Sequence, residues 1–314
     1  MIPVVSVCIP CHNAESYVAA ALDSVLSQSY RAIEVVVVND GSTDGSSEVL
    51  NDFEDRGVVV IHEKCGSASK ARNRALRESR GEYIKFFDAD DLLHPQMIEK
   101  QVERLNGSHQ DVAFSGWGRF YNDDLSTFEL SPQPVWRDMD AREWLVESLM
   151  DARPMMQPGQ FLAPRSLIEK CGGWDETLSL IDDFEFFSRL LSLAKNLKFC
   201  SDTPLFYRSG LVGSLSKRKS RDAVESAFHS LLKGTQCLIN AQCDKRTKEA
   251  CANVLQDFEY MYYPDHEDLR RLVLDRIKEL GGSTLRPDGP PNFKRLSCFL
   301  GWKLARRLQR FLRG

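Results

Sequence analysis

The chain has 314 residues, of which 42% are hydrophobic, and a formal net charge of −4. That length buries a full core, and the mildly acidic balance excludes nucleic acid as an expected partner, since neutralising phosphates takes a basic surface. The N-terminal run MIPVVSVCIPCHN lacks the charged and apolar regions of a secretory leader, and no apolar run reaches the ~18 residues of a membrane-spanning helix. A cytoplasmic protein is expected, peripheral on the inner face of the membrane if it meets a membrane at all. The nine cysteines show no disulfide spacing and read as free thiols, with Cys8 and Cys11 as packing residues of the first strand.

In chain order, Val4 to Pro10, Ile33 to Asn39, Val58 to His62 and Tyr83 to Phe87 are apolar or β-branched runs separated by helical patterns. Such alternation predicts an α/β fold with a mostly parallel twisted sheet flanked by helices. Asn13 is expected to cap a first helix whose apolar positions Tyr17, Val18, Ala21, Leu22, Val25 and Leu26 keep helical spacing. Asp44 to Phe53 and Ser69 to Ser79 supply the next crossovers, and His94-Pro95 opens a fourth helix. Asp111 to Phe120 reads as a further strand, followed by an irregular insertion at Asn122-Asp123-Asp124, Pro132 and Pro134.

Residues 154–207 read as turns and short elements, and Arg221 to Leu280 as helices without a strand. Pro287, Gly289, Pro290 and Pro291 mark a linker. From Phe293 to Arg313 the chain carries seven basic residues and no acidic one, with Phe293, Leu296, Leu300, Leu304, Leu308 and Phe311 forming one stripe. Residues 292–314 thus fit an amphipathic helix on an anionic lipid surface, and equally a helix docked on the protein with its basic residues solvated.

Ligands of open α/β sheets bind beyond the carboxyl ends of the strands. The strand YIKFF ends in Asp88-Ala89-Asp90-Asp91, and an extended backbone aims Asp88 and Asp90 the same way. Two aligned carboxylates suit a hard cation, Mn²⁺ or Mg²⁺, that completes its shell with substrate phosphates. The alternative is a turn or a cap for the next helix. Asp40 precedes Gly41, which lets the chain turn sharply; its carboxylate can accept a pyrimidine ring N–H or cap its own backbone. Lys70, Arg72 and Arg74 near a helix start suit a ligand rich in acceptor oxygens, or are solvated surface charges.

The blocks VSVCIPCHNAE, VVVVNDGSTDGS, SASKARNRAL and GEYIKFFDADD, in that order, resemble the nucleotide-binding half of family 2 glycosyltransferases of the GT-A fold. The resemblance covers residues 4 to about 91. It implies that Pro10, His12, Asn13, Asp40, Arg72, Asp88 and Ala89 line the nucleotide site and that Asp88 and Asp90 hold the metal. His12 stands where the family often has tyrosine. Further on, Cys171-Gly-Gly-Trp-Asp-Glu176 and Asp182-Asp183-Phe-Glu-Phe186 resemble the family's acceptor side, which implies that Asp183 is the catalytic base.

An acceptor hydroxyl attacking an anomeric carbon needs a carboxylate to take its proton, and one base opposite the leaving diphosphate gives inversion. Asp182-x-x-Glu185 is also a capping-box pattern, so Asp182 can cap a helix while Asp183 faces the cleft. Trp174 can stack on a sugar or fill the core. Tyr207-Arg208 and Ser214-Leu-Ser216 resemble a segment that closes over the diphosphate, where Arg208 can clamp phosphate oxygens. The expected organisation is a glycosyltransferase domain at 1–215, with a nucleotide half to about 91 and an acceptor half at 92–215. A helical appendage at 216–286 follows, then a linker and basic helix at 287–314.

The expected activity is transfer, with inversion, from a nucleotide sugar, UDP-linked by preference, to a hydroxyl of a glycan or lipid-linked acceptor. A nucleotidyltransferase of the same fold lacks its Gly-rich phosphate loop here, and a non-catalytic sugar-nucleotide-binding module has no need of three intact aspartates. A dinucleotide-dependent oxidoreductase is not expected, since no G-x-G-x-x-G follows a strand.

Overall fold

The computed structural model describes residues 2–152, 154–211 and 220–311. Strands β1 (Val5–Cys11), β2 (Ile33–Asn39), β3 (Val59–His62) and β4 (Tyr83–Phe86) run parallel in the order β3-β2-β1-β4. Val5, Val7, Cys8 and Ile9 of β1 and Val35 to Val38 of β2 are buried on both sheet faces, which is why these strands read as unbroken apolar runs. Helices α1 (Val18–Leu26), α2 (Ser46–Glu54) and α3 (Ala68–Glu78) make the crossovers.

Asn13 does not cap α1, which begins at Val18. Its backbone is left-handed at φ 51°, and its side-chain oxygen instead accepts from the Thr43 N–H at 2.8 Å. Asp44 accepts from the N–H groups of both Glu15 and Ser46, so the loops after β1 and β2 hold each other. Cys8 and Cys11 are buried free thiols, each pushed up to about 12 by burial, as packing residues should be.

After β4 come β5 (Leu92–Leu93), α4 (Met97–Leu105), β6 (Val112–Tyr121), β7 (Asp124–Leu130), β8 (Met139–Asp140) and α5 (Ala141–Met150). His94 and Pro95 form a turn before α4 rather than its first turn, because the Met97 N–H bonds the His94 carbonyl. Asn122 and Asp123, both at positive φ, form the two-residue turn of the antiparallel β6–β7 hairpin, so the expected irregular insertion is ordered there.

The stretch read as turns and short elements holds β9 (Phe161–Pro164), α6 (Arg165–Cys171), the 12-residue α7 (Asp182–Leu193) and the 14-residue β10 (Asn196–Ser209). β9 lies antiparallel between β4 and β6, and β10 runs parallel to β6, giving the order β3-β2-β1-β4-β9-β6-β10-β5. Buried Lys85 of β4 ties the centre together, its Nζ donating to Gln101 of α4 at 2.9 Å and to the Phe161 carbonyl at 3.3 Å.

Helices α8 (Arg221–Ala241), α9 (Lys245–Tyr262) and α10 (Glu267–Glu279) form the expected C-terminal helical region and pack onto the core of the sheet domain. Their Val224, Ala227, Leu255 and Val273 share one core with Phe186 and Leu190 of α7 and with Ile84 of β4. The last segment is two helices, α11 (Pro291–Leu300) and α12 (Trp302–Phe311), broken at Gly301, whose φ of 74° leaves the helical region. Among the described residues no helix is long and apolar enough to cross a membrane.

Candidate active site

The carboxyl ends of β1, β2 and β4 open on one rim. At β2, Gly41 takes φ 61°, which turns the chain directly after Asp40. Asp40 is buried, and its Oδ1 accepts from the Gly66 N–H at 2.7 Å. The Asp40 carbonyl lies 2.7 Å from Nδ1 of His12, so that nitrogen carries the proton, and Nε2 then accepts from the Asn13 amide at 3.3 Å. His12 and Asn13 are exposed, whereas Ala89 is buried and can offer a ligand only its backbone.

Beyond β4 the backbone leaves the extended state and turns, with the Asp91 N–H facing the Asp88 carbonyl at 3.4 Å. The Asp88 and Asp91 carboxylates therefore take different partners. Asp88 meets Arg72, Asp91 accepts the backbone N–H of Arg208 at 2.9 Å, and Asp90 lies between them in sequence. Burial and the neighbouring Asp88 push Asp90 up to about 6, and burial with Asp90 and Asp88 pushes Asp91 well above the usual carboxylate range.

Arg72 is the hub of the site. It is buried, donates from Nη2 to Asp88 at 2.7 Å and from Nη1 to Asp182 at 3.0 Å, and lies 4.3 Å over the Trp174 ring. Asp88 and Asp182 hold its pKa above the usual value despite burial, so it stays charged. Its donors thus meet carboxylates, where the resemblance implied a nucleoside. Trp174 has no face for a sugar either: it is 3% exposed, with Phe186 stacked at 4.1 Å and Arg72 over its ring. It fills the core and backs the guanidinium.

Asp182 is the first residue of α7 rather than its cap, which is Ile181 in a left-handed conformation. Besides Arg72 it takes the Ser69 hydroxyl at 2.6 Å, and Glu185 pairs with Arg189 instead of closing a capping box. Asp183, beside it in the first turn, accepts from the Phe184 N–H at 2.8 Å. Burial first, and then Asp182, push Asp183 up to about 7, against the lowering pull of that N–H and of Arg72. A carboxyl in that range can take up or release a proton near neutrality.

Arg208 is also buried. Its Nε donates to the Asp90 carbonyl at 2.7 Å, its Nη1 reaches Asp123 in the β6–β7 turn, and its plane lies near the Tyr17 and Phe120 rings. Its Nη2 is buried without a partner among the described residues. Ser214 and Ser216 lie outside the described residues.

Hard oxygen donors at Asp88 and Asp90, close enough to raise the Asp90 pKa, fit a divalent cation, which relieves such repulsion. Among the described residues no group of three or more potential ligands is assembled. Motif reading missed Ser69, Asn73, Asp91, Tyr17 and Asp123. Ser69, Arg72 and Asn73 share one face of α3 by their spacing of three and four, and that signal was available.

Residues 6–172 match the profile described as "Glycosyl transferase family 2". The chain belongs to this family. Among curated family relatives it is 26% identical over 297 residues to glycosyltransferase GlyG of Streptococcus pneumoniae serotype 4, covering 88% of this chain and 96% of that one. It is 29% identical over 214 residues to the uncharacterized glycosyltransferase EpsJ of Bacillus subtilis, a match that spans 66% of this chain and 62% of EpsJ. In structure it resembles S. aureus TarS 1-349, crystallised in complex with UDP, at TM-score 0.65 and 18% identity, covering 88% of this chain and 87% of that one. The enzyme is a glycosyltransferase with a mixed α/β fold of the GT-A type.

Proposed function

We propose that the rim formed by β1, β2 and β4 binds a UDP-sugar and that Asp183 takes the proton from an acceptor hydroxyl as it displaces UDP with inversion. The observation that carries this reading is the span of Arg72: one guanidinium joins Asp88, on the donor side, to Asp182, next to the base. A base held in register with the donor needs such a rigid link, because displacement tolerates little misplacement of the reacting atoms. The raised pKa of Asp183 supports the same role.

The parts divide as follows. Asp40, with one oxygen held by Gly66, takes the base of the nucleoside beside Pro10, His12 and Asn13. Asp88 and Asp90 would hold Mn²⁺ or Mg²⁺, which supplies positive charge against the departing diphosphate. Arg208 offers its unpartnered Nη2 to phosphate oxygens. The co-crystallised UDP and UDP-GlcNAc of TarS structures favour uridine donors here. The acceptor is a glycan, free or lipid-linked.

The test is UDP release from a panel of UDP-sugars with Mn²⁺, followed by the anomeric configuration of the product. Release from at least one donor, abolished in Asp88→Asn, and a product of inverted configuration are expected. A retained configuration would sink Asp183 as a base in single displacement, and absence of release with every UDP-sugar would sink the donor assignment.

A further inference from the structure

The two C-terminal helices settle against the protein without hiding their apolar side. On α12, Trp302 packs edge-on to Tyr260 and Tyr263 at 4.7 and 5.0 Å, Ala305 is fully buried, and the Arg306 guanidinium lies 4.4 Å over Phe293 of α11. Lys303 reaches buried Glu259 at 3.6 Å, and Arg310 pairs with Asp265 at 2.6 Å. These contacts fix which way the helix faces.

At 100° per residue, Trp302, Ala305, Arg306 and Gln309 turn inward, and Leu304, Leu308 and Phe311 occupy the opposite arc. Phe311 is 84% exposed and Phe299 of α11 is 87% exposed, with Leu296, Leu300, Leu304 and Leu308 also exposed. Large apolar side chains are rarely left so open in a row. Lys303, Arg307 and Arg310 line one edge of that arc on α12. Residues 289–311 contain six basic side chains and no acidic one, within a chain of net charge −4. Arg295 and Arg307 are exposed and make no salt bridge among the described residues.

We propose that the outer face of α11 and α12 is a lipid-docking surface, which sets Phe299, Leu304, Leu308 and Phe311 at the acyl boundary and Arg295 and Arg307 among anionic headgroups. Apolar side chains bordered by cations match a bilayer surface carrying negative charge, where both terms act together. A second copy is a poor occupant, since a two-fold contact sets each patch against itself and brings like charges together. The helices lie on the surface and do not cross it, for neither is long enough.

The experiment is co-sedimentation of the full chain with vesicles of phosphatidylcholine alone and of phosphatidylcholine with phosphatidylglycerol, without donor or metal. The wild type is expected to bind the anionic vesicles, and to leave them as salt rises from about 0.1 M to about 1 M. Phe299→Ser/Leu304→Ser/Phe311→Ser, with all three sites exposed, is expected to melt like the wild type and bind roughly tenfold or more weakly. Arg295→Gln/Arg307→Gln is expected to weaken binding to anionic vesicles only. Equal binding to both vesicle types, or triple-variant binding equal to wild type, overturns the proposal. So does failure to bind either vesicle, including the case of a lipid-free dimer that the triple variant dissolves.

Discussion

Asn73 holds Trp174 by both of its backbone groups: Oδ1 accepts from the N–H at 2.8 Å, and Nδ2 donates to the carbonyl at 2.9 Å. The preceding Gly173 sits at φ 74°, and a Cβ there would come 2.8 Å from the same Oδ1, so this fit requires glycine. Through it, α3 pins the segment that leads to Asp182 and Asp183. Asn73→Ala leaves two backbone groups beside a buried ring unpaired, at a cost of about 1–3 kcal/mol. A thermal melt should show the loss, and turnover should fall with it. Asn73→Asp keeps the acceptor, loses the donor and sets a charge beside Glu176, so it should melt no higher than the alanine variant. An unchanged melt for both would remove the staple.

The pH dependence of kcat/KM tests Asp183 as the proposed base. Asp183, pushed up to about 7, must be ionised to accept a proton, so activity should rise with pH through about 7 and level above it. Arg72 is among the groups that lower this pKa, so Arg72→Met should move the acid limb to higher pH as well as reduce turnover. Arg72→Lys should not restore the wild-type rate, because a single ammonium lacks the fork that spans Asp88 and Asp182. A limb that stays put in Arg72→Met would leave the arginine no part in tuning the base.

β1 and β2 were legible because parallel strands buried on both faces are largely apolar, and β2 matches its expected bounds of Ile33 to Asn39. The edge strand β3 was legible from its β-branched run Val59-Val60-Ile61. β9 was not legible: its four residues, Phe161–Pro164, are defined by partners in β4 and β6, and no local pattern carries that pairing. The break at Gly301 was hidden for another reason, since the apolar stripe keeps its three- and four-residue steps across it. At the site the motifs named Asp88, Asp183, Arg72 and Trp174, but no motif shows the Arg72–Asp182 pair or the stacking of Arg72 on Trp174. Both depend on how α3 meets the 173–182 segment, over a hundred positions away in the hydrogen bond from Arg72 to Asp182.

Metal dependence should itself depend on pH. Burial and Asp88 push Asp90 up to about 6, and a protonated carboxyl is a poor ligand. The Mn²⁺ concentration for half-maximal turnover should therefore rise as pH falls through about 6, beyond what the titration of Asp183 causes at saturating metal. Asp90→Asn should need more metal at every pH and lose that extra dependence. Full activity of Asp88→Asn and Asp90→Asn in excess chelator would discard the metal site.

Asp183→Asn separates catalysis from stability. Removing a positioned base should lower turnover by roughly 10²- to 10⁴-fold. The folded carboxyl sits at about 7 against an ordinary 3.8, so the folded state binds this proton more tightly than the unfolded state does. The ionised form thus opposes folding: the stability carried by the bound proton is complete below about 3.8, drains away as pH rises toward about 7, and is absent above it. Asparagine keeps an oxygen for the Phe184 N–H and carries no charge. The variant should therefore melt above the wild type at about pH 8 and level with it at about pH 4, the pattern of a residue kept for activity at the expense of stability. A variant that melts lower at about pH 8 would show that the carboxylate is held by favourable contacts, and the case for a raised pKa at the base would go with it.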